Sequence, residues 1–312
     1  MISVHYDPNL IEQTVRLAVR RDAAAEIELH RAIDPIFELP DGDERENRFR
    51  QAFVEWFKKL RLDRFVDEAL ANFPRVVEQV ERGVVRTAPR RKSQGAELFV
   101  SREAGGACRT LLIQVCPESL IDGARTHDLL LRELQHVEDM LDESFAYVPE
   151  SLDGPASRQQ LTRDRYAVLW DIRVESTLAR RGLLTDTREK HLRERLAMAF
   201  TVGGQAPPEE TFERVWEAPS LGHACLMSWA KDPPEWMVSR AATGGAVGGR
   251  PPGATCPICG FPTFDWYEPS GEEESLVASW VRASRPSWTA GDGICRQCAE
   301  HCLSREAQRS CV

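Results

Sequence analysis

The stretch Leu129-Leu130-Leu131-Arg132-Glu133-Leu134-Gln135-His136-Val137-Glu138-Asp139-Met140-Leu141 decides how the chain folds. Leu130, Leu134, Val137 and Leu141 recur at spacings of three and four, the period of a helix that buries one apolar stripe. The flanking residues extend this helix from about Asp122 to about Glu143. With each residue turning the chain by about 100°, Arg132, Glu133, His136 and Met140 fall on one face beside that stripe. A cation, a carboxylate and an imidazole therefore share a position that a cleft could reach.

The segments on either side are chemically consistent with such a cleft. Before the helix, Glu97-Leu98-Phe99-Val100 and Thr110-Leu111-Leu112-Ile113-Gln114-Val115 read as two strands, joined through Gly105-Gly106 as a hairpin or as neighbours in a small sheet. After it, a second helix is expected from about Ser157 to Arg181, with Ala167, Trp170, Val174 and Leu178 as its buried stripe. Asp171 and Glu175 lie four apart on the adjoining face. Acids so close to a core stripe require a partner, either a metal ion or arginines such as Arg132 and Arg173. The first hundred residues read as mostly helical, with two or three amphipathic helices up to about Phe73. His5 and His30 have no ligand-spaced partner in sequence and are read as surface or capping residues, while His191, His223 and Tyr147 are read as packed or exposed, with a stabilising place beside the cleft as the alternative.

The run Arg132-Glu133-Leu134-Gln135-His136 resembles the His-Glu-x-x-His helix of zincin-type metallopeptidases. In that helix two imidazoles one turn apart bind zinc and the glutamate is the general base. The resemblance implies an α+β, mainly helical fold, a zincin-like domain with a small β-hairpin or sheet ahead of the metal helix. It also implies that an extended peptide pairs with the Leu111 to Val115 strand or its neighbour. By the same resemblance Asp171 is the third metal ligand and Glu175 an acid that orients a ligand, with these roles exchangeable. The departure is Arg132, a permanent cation where the first ligand histidine is expected.

Three functions follow from that one position. In the favoured one the chain is a catalytically altered or inactive metallopeptidase relative, a pseudo-enzyme, whose Arg132 guanidinium bridges Glu133 and Asp171 or Glu175. In the second it is a noncatalytic protein-binding adaptor. In the third it is an active metal-dependent hydrolase that holds a second zinc on His136 with Asp171 or Glu175, and Glu133 serves as base or ligand.

A separate zinc site is written more plainly near the C-terminus. Asp232 to Gly253 is rich in proline and glycine and reads as a tether, dividing the chain into residues 1–231, a linker 232–253 and a module 254–312. Cys256-Pro257-Ile258-Cys259-Gly260 and Gly293-Ile294-Cys295-Arg296-Gln297-Cys298 are two knuckles, each offering two thiolates on a tight turn. Together they complete a tetrahedral four-sulfur site for one structural zinc. His301 and Cys302 are alternative ligands close by. The module resembles a zinc ribbon or treble-clef finger, and a closed four-cysteine site stabilises and recognises without catalysing. Phe261, Phe264, Trp266, Tyr267, Trp280 and Trp288 are numerous for so small a module; most are expected in its core, and any left exposed suit a protein or peptide partner.

Composition sets the remaining bounds. A chain of 312 residues with 42% hydrophobic content and a formal charge of −9 has room for about two domains. The module from Thr255 to Val312 holds eight acidic side chains against five arginines, which argues against nucleic acid as the partner. No apolar run approaches the roughly 18 residues of a membrane span, and Met1 to Asp7 lacks the basic and apolar regions of a signal peptide. With nine cysteines, an odd number including two Cys-x-x-Cys pairs, the chain is expected to be cytoplasmic and metal-binding rather than disulfide-framed.

Overall fold

A computed structural model describes residues 2–103, 106–201, 205–218, 220–237, 254–267, 272–286, 288–289 and 292–309. The chain divides into two compact units, residues Met1–Tyr147 with Thr177–Thr187, and Val148–Ser176 with Arg188–Val312.

In the first unit β1 (Ser3–Tyr6) leads through five helices to β2 (Arg82–Thr87). The helices are α1 (Pro8–Val19), α2 (Ala23–Phe37), α3 (Asp43–Lys59), α4 (Arg64–Leu70) and α5 (Pro74–Gln79). The hairpin β3 (Gly95–Glu103) and β4 (Gly106–Val115) follows, then α6 (Pro117–Ile121) and α7 (Gly123–Leu141). The sheet order is β1-β2-β4-β3. β1, β2 and β4 run parallel, and β3 lies antiparallel to β4 at an edge. Parallel pairing of β1 with β2 needs a long crossover, and the five helices supply it. Local chemistry fixes their starts: the Asp7 carboxylate accepts from Asn9 N at 2.8 Å ahead of α1, and Asp22 accepts from Ala24 N at 2.9 Å ahead of α2.

α7 is the helix read from the opening stretch, and its bounds fall within two residues of those expected. Leu130, Leu134, Val137 and Leu141 are all buried, as the periodicity requires. The helix packs against β3, α4 and α5. Its first residue must be small: a Cβ on Gly123 would come within 2.6 Å of Phe65 Cζ, on α4. Two features differ from the expectation. The sheet has four strands where the sequence shows a hairpin clearly, and four helices, α1 to α4, end before Phe73 where two or three were expected. β1 is only four residues long, and β2 carries a single Val84-Val85 pair between Gly83 and Arg86, so neither presents enough alternation to stand out.

The second unit contains α8 (Ala156–Arg180) up to Ser176, then α9 (Glu189–Phe200), α10 (Glu210–Trp216) and α11 (His223–Lys231). Within α8, Trp170, Val174 and Leu178 are buried as expected, whereas Ala167 is exposed and Val168, Leu169 and Ile172 are buried as well. Such burial around most of the circumference is the mark of an internal helix rather than a surface one. The C-terminal part holds β5 (Ala254–Thr255) paired with β6 (Pro262–Thr263), then α12 (Glu272–Ser284) and α13 (Arg296–Arg309). Of the expected linker, residues 238–253 lie outside the described residues, and Glu235–Met237 form a 3-10 turn with Met237 buried. The class is α+β, mostly helical. Among the described residues no helix is long and apolar enough to cross a membrane.

Candidate metal centre

The first cysteine pair sits where β5 turns back into β6. Gly260 N donates to Cys256 O at 2.9 Å, and Cys256 N donates to Phe261 O at 2.8 Å. Gly260 takes φ of 74°, a left-handed conformation that closes the turn and favours glycine. The second pair forms where the chain enters α13. Gly293 has φ of 67°, and Ala299 N donates to Cys295 O at 3.1 Å, so Cys295 stands at the helix start and Cys298 in its first turn. A backbone bridge between Trp266 and Cys295 brings the two halves together across the long insertion.

The result is one cluster. The four Sγ atoms of Cys256, Cys259, Cys295 and Cys298 lie within 4.8 Å of one another. Among the described residues this is the single group of three or more His, Cys, Asp or Glu whose ligand atoms converge as a metal requires. Backbone N–H groups already point at the sulfurs: Ile258 N and Cys295 N donate to Cys256 Sγ, and Cys298 N donates to Cys295 Sγ, each at 3.4 Å. Burial raises the Cys256 thiol, but N–H donors from Cys295, Cys259 and Ile258 outweigh it and bring the thiol down to about 7. Burial and the neighbouring sulfurs push the Cys295 and Cys298 thiols up. Four anionic sulfurs at this separation repel, and a cation at their centre is what allows all four to be thiolates. Cysteine thiolates in a tetrahedral set suit a soft or borderline ion. Cys302, by contrast, is fully buried in the apolar cluster of Val277, Val281, Trp288, Ile294 and Ala299, and the exposed His301 ring stands 6.5 Å from that of Trp280.

The residues of the opening helix have other neighbours. Glu133 Oε2 accepts from Ala96 N on β3 at 3.3 Å. The strand can approach because residue 95 is glycine, where an added Cβ would stand 3.0 Å from the same oxygen. Arg132, only 7% exposed, donates from Nη2 to Asp186 O at 2.8 Å. It belongs to a row: Asp128 accepts from Thr185 Oγ1 at 2.6 Å, and Gln135 Oε1 accepts from Arg181 Nη1 at 3.2 Å. Positions 128, 132 and 135 are one turn apart, so one polar face of α7 holds the segment from Arg181 to Asp186. Another face holds α5, where the Glu138 carboxylate accepts from Val76 N and Arg75 Nη1, both at 3.1 Å. His136 is half-buried on the same helix.

In the second unit Asp171 is ion-paired with Arg195. Glu175, fully buried, accepts from Arg188 N at 2.8 Å and from Arg188 Nε at 3.4 Å. Arginines are thus partners of both acids, Arg195 for Asp171 and Arg188 for Glu175, and Arg173 donates to Leu221 O at 2.9 Å. A network around the buried His223 was not legible in the sequence. Tyr166 Oη lies 2.8 Å from His223 Nδ1, His223 Nε2 stands 3.6 Å from Glu150, and Glu150 is ion-paired with Lys231. No spacing along the chain joins residues 150, 166 and 223. Asp128, Gln135 and Glu138 did carry a signal, being acids and an amide repeated within an apolar helix.

No family model, no curated protein and no solved structure matches this chain.

Proposed function

We propose that this chain is a zincin-like, metallopeptidase-related protein, catalytically altered at Arg132, that binds peptide or protein partners and carries one structural zinc in a C-terminal recognition module. The observation that carries this reading is the environment of Arg132. Where a ligand imidazole is expected, a buried guanidinium is tied to the Asp186 carbonyl within a row of helix-to-segment hydrogen bonds. The arginine partners of Asp171 and Glu175 point the same way, since ion-paired carboxylates are not poised as ligands. The edge strand supplies the peptide-binding surface. Ala96 N turns outward to Glu133, so by the two-residue period of a strand Leu98 and Val100 turn their backbone groups to the same side.

For the C-terminal module, four thiolates support zinc as the ion, and the placing of Cys295 and Cys298 at a helix start supports a treble-clef finger over a ribbon. The paired Cys-x-x-Cys spacing suits metal binding in a reducing compartment such as the cytoplasm.

Metal stoichiometry and peptide-library cleavage test the reading together. One zinc per chain and no cleavage are expected of the parent protein. Two zincs, with chelator-sensitive cleavage lost in Glu133→Gln, would replace it by the active-hydrolase reading. If Arg132→His alone gained metal and activity, the arginine would be established as the cause of the loss.

A further inference from the structure

The C-terminal module leaves an uncovered cleft beside its cysteines. A cavity of about 270 Å³ lies between β6 and the first turns of α13, lined by Cys259, Phe261, Thr263, Asp265, Arg296 and Glu300 among others. Two features of this cleft are uncommon for a small folded module. Phe261, which lines it, is 71% exposed, although Cys256, Val277, Val281, Trp288 and Ile294 form a well-buried core nearby. Cys259 is exposed at the cleft while Cys256 and Cys295 are buried, so the metal site has one open, sulfur-lined side.

Charge identifies what fits there. Asp265 is neutralised within the cleft by Arg296, whose Nε stands 2.8 Å from its carboxylate. Glu300 remains as a lining anion. A divalent ion held by four thiolates leaves two net negative charges on the cluster, part of which is presented through Cys259. The cleft is therefore anionic at its floor and aromatic at its rim. Sulfur and carboxylate accept N–H donors, and phenylalanine faces attract cations.

We infer that this cleft is a docking site for a lysine or arginine side chain of an extended partner peptide, with Phe261 covering the aliphatic stem and the Cys259 sulfur and Glu300 accepting from the charged head. The inference rests on the metal reading above, because the floor charge comes from the filled four-thiolate site. It is independent of Arg132 and of the peptidase question.

The test uses the full chain and three pools of acetylated, amidated heptapeptides, degenerate except for a central lysine, glutamate or leucine. Competition is read by fluorescence anisotropy, and zinc is measured in the same samples. The lysine pool should bind about tenfold more tightly than the glutamate pool, with its advantage shrinking at high salt. Phe261→Ser and Glu300→Lys, both at exposed positions, should each lower lysine-pool binding about tenfold while zinc stays at one per chain. A zinc-loaded parent that prefers the leucine pool, or shows no charge preference, overturns the docking site and leaves the metal reading standing. Unchanged binding in both zinc-loaded variants overturns it likewise. A parent that binds no zinc overturns both.

Discussion

Removing the metal from the four-cysteine site should unfold the C-terminal module and leave the first unit intact. The perturbation is dialysis of the full chain against a chelator at neutral pH, with Cys256→Ser as its genetic counterpart. The magnitude follows from what the module buries. Val277, Val281, Trp288 and Ile294 are its large buried apolar side chains, at 0 to 6% exposure. At about 1.5–3 kcal/mol each they contribute roughly 6–12 kcal/mol. A structural four-thiolate zinc contributes on the order of 10–16 kcal/mol at neutral pH. The metal is thus as large a contribution as these four side chains together, and so small a core leans on it. Hydrogen exchange read by mass spectrometry on the full chain is the assay. Amides of the Cys256 to Gly260 turn and of α13 should lose protection on chelation, while those of β2, β4 and α7 keep theirs. Protection of α13 that survives metal removal would refute the reasoning, since the apolar cluster would then be sufficient alone.

Glu133→Ala should cost about 1.5–3 kcal/mol, because a carboxylate leaves the Ala96 N–H, whereas Glu133→Gln, which keeps an acceptor oxygen, should cost less than about 1 kcal/mol; urea midpoints of the two variants check this. Gly123→Ala should destabilise by about 1–3 kcal/mol, since its methyl would meet Phe65 at 2.6 Å; thermal melting that matches the parent would show that α4 can give way. Burial, followed by the charges of Asp67 and Asp63, pushes the Tyr6 phenol far above its usual range. A raised folded-state value means that the stability it carries is complete below pH 10 and is lost as pH climbs beyond that; the parent should therefore weaken in alkali more steeply than Tyr6→Phe in denaturant titrations.

Much of the first unit's centre was legible because α7 obeys a single period. A stripe of leucines and valine three and four apart could be buried in only one way, and the burial of Leu130, Leu134 and Val137 follows. The knuckles were legible for a different reason: two thiolates with two residues between them, repeated in a second pair, spell out a four-sulfur group, and the four Sγ atoms do converge. β1 and β2 were hidden because four and six residues are too short for their alternation to stand out, and β1 meets its partner only about eighty residues on, Ser3 against Arg82. The same distance hid the neighbours of the candidate site. Arg132 meets Asp186, 54 positions on, and Glu138 meets Val76, 62 positions back, so no local spacing announces either. For Asp171 and Glu175 the sequence required a cationic partner without saying which, and Arg195 and Arg188 are chosen by the turn between α8 and α9.

The identity of residue 132 therefore weighs more in three dimensions than in the motif. On a helix that serves only to hold a metal, polar side chains need to face one cleft. On α7 they are distributed: Glu133 to the edge strand, Glu138 to α5, and Asp128, Arg132 and Gln135 to the Arg181 to Asp186 segment. Each of these bonds satisfies a backbone or side-chain group that burial would otherwise leave costly, so each is part of what keeps the first unit together. An imidazole at position 132 is shorter and cannot reproduce a guanidinium's reach to a main-chain carbonyl. Arginine at that position is thus a working part of the fold, joining α7 to the Arg181 to Asp186 segment through the Asp186 carbonyl.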